Sequence, residues 1–175
     1  MGFKISEFVT HINGKVLKPS IYTIDIAGPH FTVNDLWAEA ITIPGRRLAT
    51  QERRTFGPQR DMPYERLYSG DLDVTFMFSR AVGPGHQHPR TLLEDWMDEV
   101  INKDTNVITT DYSSYTGTIN ISLDDPAGAG GGWEIEVLEV YPKTMSPVQL
   151  GWAMNDEYVK QSVSFAFREY EIVYG

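Results

Sequence analysis

Strict alternation of apolar and polar residues recurs along this chain and fixes the kind of element that can form there. A period of two sends successive side chains to opposite faces, so each such stretch reads as a strand with one packed and one wet side. In Thr118–Leu123, Ile119, Ile121 and Leu123 oppose Thr118, Asn120 and Ser122. In Trp133–Tyr141, Trp133, Ile135 and Val137 oppose Glu134 and Glu136. Asp71–Ser79 gathers Leu72, Val74, Phe76 and Phe78 on one face. Val159–Val173 sets Val163, Phe165 and Phe167 against Ser162, Ser164 and Arg168, and reads as one long strand or as two broken by a bulge. Ser20–Ile26 is rich in β-branched and aromatic residues, and a shorter extended piece is expected over Leu36–Ile43. Pro142–Pro147 is expected as a connection.

The period changes once. Over residues 91–102, Leu92, Leu93, Trp96, Met97, Val100 and Ile101 recur at helical spacing and form one apolar stripe. Thr91 and Glu94 have the spacing of a capping box, and Asp95 sits near the favourable end of the helix dipole. Residues 45–69 show neither period. Between Arg46 and Tyr68 lie six arginines, two prolines and one glycine, which predicts a long extended loop or an irregular hairpin. Several alternating strands and one amphipathic helix imply a mainly β chain: an antiparallel β-sandwich or part-barrel with the helix over one face. With 175 residues and no internal repeat, residues 1–175 read as a single domain with an N-terminal arm over 1–18.

Charge and composition narrow the partners. The net charge of −9 argues against a surface that grips nucleic acid, although a wall that repels phosphate could guide DNA without holding it. The charge is uneven: residues 92–175 carry 15 acids and 4 bases, whereas residues 1–91 carry 9 acids and 11 bases. A basic loop on an acidic body suits head-to-tail docking of like units. Cysteine is absent, which excludes disulfides and thiolate chemistry. No run approaches the ~18 apolar residues of a membrane span, and the start of the chain shows no apolar signal region.

Catalytic patterns are scarce. Gly128, Gly130, Gly131 and Gly132 resemble a phosphate cradle by composition, but a strand follows rather than a helix, so a hairpin tip is expected. His86 and His88 with Glu94 supply the residue types of a cupin metal site. Gly83-Pro84-Gly85 before them and Pro89 after them break the strand such a site needs, and no metal or cofactor is expected. Glu134 and Glu136 lack a partner for acid–base work and read as a polar strand face.

The ordered series of pieces resembles the tail tube proteins of contractile-tailed bacteriophages, which are related in fold to tube proteins of type VI secretion and other contractile injection systems. The resemblance runs from about Pro19 to Val173. It is carried by Pro19–Ile26, by Ala40-Ile-Thr-Ile-Pro-Gly-Arg46 followed by Leu48-Ala-Thr50, by Phe56-Gly-Pro58, and by Tyr68 with Gly70–Phe76. The helix with Leu92, Trp96 and Met97 follows. The ending is Tyr141-Pro142, Val148-Gln-Leu150, Trp152, Asn155 and Val163-x-Phe165-x-Phe167-x-x-Tyr170.

The resemblance implies a structural virion protein and no enzyme. Its subunits would form hexameric rings, each giving strands to a shared inner barrel, stacked into the conduit for DNA ejection. Implied partners are other copies of the chain and the tail sheath, tape measure, baseplate and tail terminator proteins. Double-stranded DNA would pass without sequence-specific contact, with no membrane insertion by this chain. The implied location is the virion tail, assembled in the host cytoplasm. Asn120, Ser122, Glu134 and Glu136 are the candidates for lumen-facing residues, and Arg46, Arg47, Arg53 and Arg54 for inter-ring or inter-subunit contacts. Competing readings are a tube-initiating baseplate protein of the same fold, a secreted injection-system tube protein, and a small cupin-like metal enzyme.

Overall fold

The computed structural model describes residues 19–33, 38–54, 56–78, 88–123, 133–151 and 158–174. The expected N-terminal arm, His86 and the Gly128–Gly132 tip lie outside them. The strands are β1 (Tyr22–Ala27), β2 (Thr32–Val33), β3 (Ala38–Thr42), β4 (Gly45–Arg53), β5 (Arg60–Ser69) and β6 (Leu72–Met77), then β7 (Gly117–Leu123), β8 (Trp133–Met145), β9 (Lys160–Ala166) and β10 (Glu169–Tyr174). Helix α1 (Pro89–Val100) and the single turn α2 (Tyr112–Tyr115) separate β6 from β7.

All pairings are antiparallel, and one path of strands runs β2-β1-β7-β8-β9-β6-β3, with β10 added beside β8 and with β4–β5 apart. Strand β8 joins two layers. Its first half, Trp133–Leu138, lies between β7 and β10, and its second half, Tyr141–Met145, pairs with β9. The bend between them is at Glu139, a non-glycine residue at φ 53°. The inner faces of both layers close on one core: Ile24, Ile26, Ile119, Ile121, Ile135 and Val137 from one, Leu72, Val74, Phe76, Val163 and Phe165 from the other. These are the apolar sides of the alternating stretches, so the sandwich form follows from the period-two pattern.

Helix α1 closes the core with Leu92, Leu93 and Trp96. Trp96 is only 1% exposed, and its Nε1–H donates to the Tyr115 carbonyl at 2.6 Å, while Phe31 meets its ring edge-on at 5.4 Å. A buried indole needs such an acceptor.

Two boundaries differ from the sequence reading, and two readings left open by it are decided. The helix starts at Pro89, two residues early, because proline suits the first helical position and the His88 Nδ1 accepts from the Arg90 N–H as the cap. The Thr91–Glu94 capping box is therefore not formed; Glu94 Oε1 instead accepts from Arg90 Nε at 2.7 Å. Strand β8 runs through Pro142, where a register shift between Pro142 and Thr144 accommodates a residue with no N–H to give. The final stretch is two strands in different layers. Of the two readings open for residues 45–69, the hairpin forms: β4 pairs with β5 from Gly45↔Ser69 to Arg53↔Arg60.

Candidate functional site

Two surfaces stand out from a chain whose buried side chains, Gln161 apart, are apolar among the described residues. The first is the outer face of the layer β1-β7-β8-β10. Directly paired residues of antiparallel strands share a face, so the registers write out its rows. One row reads Asp25, Asn120, Glu136, Glu171; the next reads Thr23, Ser122, Glu134, Val173; a third reads Ala27, Thr118, Leu138, Glu169. All four residues expected to face a lumen are thus brought together on one continuous face. Its rows carry five carboxylates (Asp25, Glu134, Glu136, Glu169 and Glu171) and no lysine or arginine, and of the five Glu169 is paired at the end of the layer with Arg168 at 2.5 Å.

Like charges in direct opposition, as at Glu136 and Glu171, destabilise a sheet by ~0.2–1 kcal/mol per pair. The buried Asn120 Oδ1 between Asp25 and Glu136 has no hydrogen-bond partner among the described residues. The other layer solves the same problem differently. On its outer face Ser164 donates to Asp73, Thr75 and Ser162 share a hydrogen bond at 2.9 Å, Lys160 meets Glu39 at 2.6 Å and Lys143 meets Asp71 at 2.8 Å. One outer face is neutralised by lysine–carboxylate pairs within the chain, and the other keeps an excess of acid.

The acidic layer also has two open edges. Among the described residues β10 pairs only with β8, and β1 is covered by β2 only at Ile26–Ala27. An exposed strand edge is a template for pairing with another chain.

The second surface is the β4–β5 hairpin, which carries six arginines and three acids, a net of +3 that leaves −12 on the rest of the chain. Its base is tied down. Arg46 Nη2 donates to the Tyr170 carbonyl at 2.7 Å, and its guanidinium lies 4.6 Å from the Tyr170 ring centroid and 5.6 Å from that of Tyr68. Tyr68, Phe167 and Tyr170 form an aromatic cluster there. Beyond the base, every residue from Thr50 to Arg54 and from Phe56 to Arg66 is exposed, and Phe56 at the tip is 95% exposed.

The four arginines singled out in the sequence therefore do not form one patch. Arg46 is engaged within the chain. Arg47 and Arg53 share the opposite face of the hairpin, and Arg54 Nε donates to the Gly57 carbonyl of the turn at 3.2 Å. Sequence reasoning passed over Asp25, Glu169 and Glu171, although Glu169-Tyr170-Glu171-Ile172 alternates as clearly as β7 does.

No catalytic arrangement emerges among the described residues. No group of three or more potential metal ligands occurs there, His88 is committed to the helix cap against Phe78, and Glu94 is paired with Arg90. An open groove between the layers is lined by Tyr22, Ile41, Ile43, Ile121, Leu123 and Trp133. The one carboxylate on its described lining, Glu39, is bonded to Lys160. No described helix is long and apolar enough to cross a membrane.

A family model described as "Phage tail tube protein" matches residues 30–173. Among solved structures, the chain is similar to one from an anti-feeding prophage baseplate, at a TM-score of 0.65 and 12% identity, covering 91% of this chain and 96% of that one. A structure from the same kind of particle's tube-terminating cap matches at 0.63 and 15%, covering 91% and 92%. One from the sheath–tube complex of an extracellular contractile injection system matches at 0.61 and 14%, covering 99% and 100%. These likenesses concern the fold. No curated protein matches the chain.

Proposed function

The chain belongs to the phage tail tube protein family, and from that premise we propose that it is the major tube subunit of a contractile tail, stacked in hexameric rings around a bore through which DNA leaves. The observation that carries this reading is the acidic face of β1-β7-β8-β10 together with its two open edges. A four-stranded layer with free edges extends into a closed barrel when β10 of one subunit pairs beside β1 of the next, which removes both edges.

Six such layers make a barrel of twenty-four strands. With a strand spacing of about 4.8 Å and a tilt of about 40°, its backbone diameter is roughly 50 Å, which leaves room for a double helix inside the side chains. Asn120, Ser122, Glu134, Glu136 and Glu171 then line the bore. A carboxylate wall repels phosphate over a screening length of about 8–10 Å, so DNA slides without sequence-specific contact. The like-charge rows cost stability in the isolated subunit, a pattern expected where a surface serves function. The sheath, tape measure, baseplate and tail terminator proteins are the partners this role requires, and the virion tail is its place.

The absence of native cysteine makes a direct test possible. Ser122→Cys and Glu171→Cys should react with a bulky maleimide in dissociated protein and be protected in long tubes, where only the ends admit the reagent. Equal reactivity in tubes and subunits would remove this face from the bore. A tube initiator of the same fold would give single rings in place of long tubes.

A further inference from the structure

The β4–β5 hairpin sorts its charges in a way the isolated chain does not use. Near its tip Arg53 lies directly opposite Arg60, and Glu52 directly opposite Asp61. Neighbouring residues of a strand point to opposite faces, so one face presents two arginines and the other two carboxylates. Both pairs are repulsive across the strands. Among the described residues, none of the four makes an ion pair, and all are exposed.

The register that produces this is imposed by a bulge. From Gly45↔Ser69 to Ala49↔Glu65 the pairing is regular; it then slips by one residue between Ala49 and Thr50, with Thr50 opposite Pro63. Without the slip Arg53 would face Asp61, an attractive pair. The bulge replaces attraction across the strands by two like-charged pairs on opposite faces, and bulges of this kind are features that re-aim side chains.

We infer that the hairpins of adjacent copies of this chain stack face on face, with the Arg53/Arg60 face of one seated on the Glu52/Asp61 face of the next. This inference rests on the reading of the chain as a self-assembling tube subunit. At the tip each copy offers one basic and one acidic pair on opposite faces, so the contact is heterologous and repeats from copy to copy. The partner is specified by charge: the surface that relieves an arginine pair is an acidic pair of the same spacing, and each neighbour carries one. The anchored base leaves the outer half free to meet it.

Two charge variants test the contact. Glu52→Arg with Asp61→Arg makes both faces basic, and Arg53→Glu with Arg60→Glu makes both acidic. Each alone should raise the concentration needed for tube formation at least tenfold. A 1:1 mixture should assemble near the wild-type concentration, because every basic hairpin then meets acidic ones on both sides. The chain with both pairs exchanged should assemble by itself. The single-type variants carry net charges of −5 and −13, so attraction between whole molecules does not explain rescue.

Assembly of either variant alone at the wild-type concentration overturns the inference. Failure of the mixture while the wild-type protein forms tubes also overturns it and places the arginine pair against another acidic surface. Wild-type protein that forms no tubes counts against the tube reading itself. The hairpin contact is then read by sedimentation: association in the mixture supports it and monomers throughout overturn it. Unchanged thermal unfolding of the variants confirms that the body is intact, since all four side chains are exposed.

Discussion

Glu139 occupies the left-handed region at φ 53°, where β8 leaves one layer for the other. The conformation costs a non-glycine residue ~1–2 kcal/mol. It is held by Arg168, whose Nη1 meets Glu139 Oε1 at 2.5 Å and whose backbone N–H donates to the Leu138 carbonyl at 3.2 Å. Glu139→Gly relieves the backbone and Glu139→Ala does not, while both lose the ion pair. The glycine variant should be more stable than the alanine variant by about 1 kcal/mol in urea unfolding, the reverse of the usual order in a strand.

Protonation gives a second residue-scale prediction. The Tyr22 phenol is held above its ordinary value of 10.0 by burial and then by Glu39, and that of Tyr112 by burial and then by Glu139. Lys160 and Lys143 are held above 10.5 chiefly by hydrogen bonds to Glu39 and Asp71. A group whose folded value is raised contributes its stability in full below the unfolded value and loses it as pH rises through the folded value. These groups should leave the urea midpoint unaffected from pH 7 to about 9 and lower it progressively above about pH 10. A midpoint that rose above pH 10 would show that the folded state loses these protons first.

At the scale of elements, what the sequence made legible depended on whether one face was buried. Strands β7 and β8 alternate because one side meets the core, and their polar sides were readable for the same reason. Strands β4 and β5 pair as regularly, but both faces of the outer hairpin meet solvent, so no hydrophobic pattern marks them and only the arginine content stood out. Pro142 concealed the second half of β8, since a proline inside a strand ordinarily ends it and only the adjacent bulge makes it tolerable.

The hairpin base should behave as a separate unit. Arg46→Ala removes its hydrogen bond and ring stacking against Tyr170, and should speed hydrogen exchange in β4 and β5 while exchange in β7 and β8 stays at the wild-type rate. Uniform acceleration would tie Arg46 to the whole fold. On the acidic layer, Glu136→Gln removes the opposition to Glu171 and should stabilise the subunit by about 0.2–1 kcal/mol, read from the urea midpoint. A loss of stability would mean that the carboxylate has an attractive role within the chain.

At the scale of the whole molecule, the subunit is closed on one side and unfinished on the other. One outer face is neutralised by pairs such as Lys160–Glu39 and Lys143–Asp71, while the other gathers acid between two open edges. Neither the pairing of β10 beside β8 nor the layer change in β8 could be read from alternation, because alternation reports a face and not a neighbour. The measurement that bears most directly on the account is a cryo-electron microscopy reconstruction of the purified protein assembled at high concentration. The account predicts a hollow tube of stacked six-membered rings, with β10 of each subunit beside β1 of the next and Glu134, Glu136 and Glu171 directed at the bore. A protein that stays monomeric at every concentration, or a tube whose acidic face points outward, would contradict it.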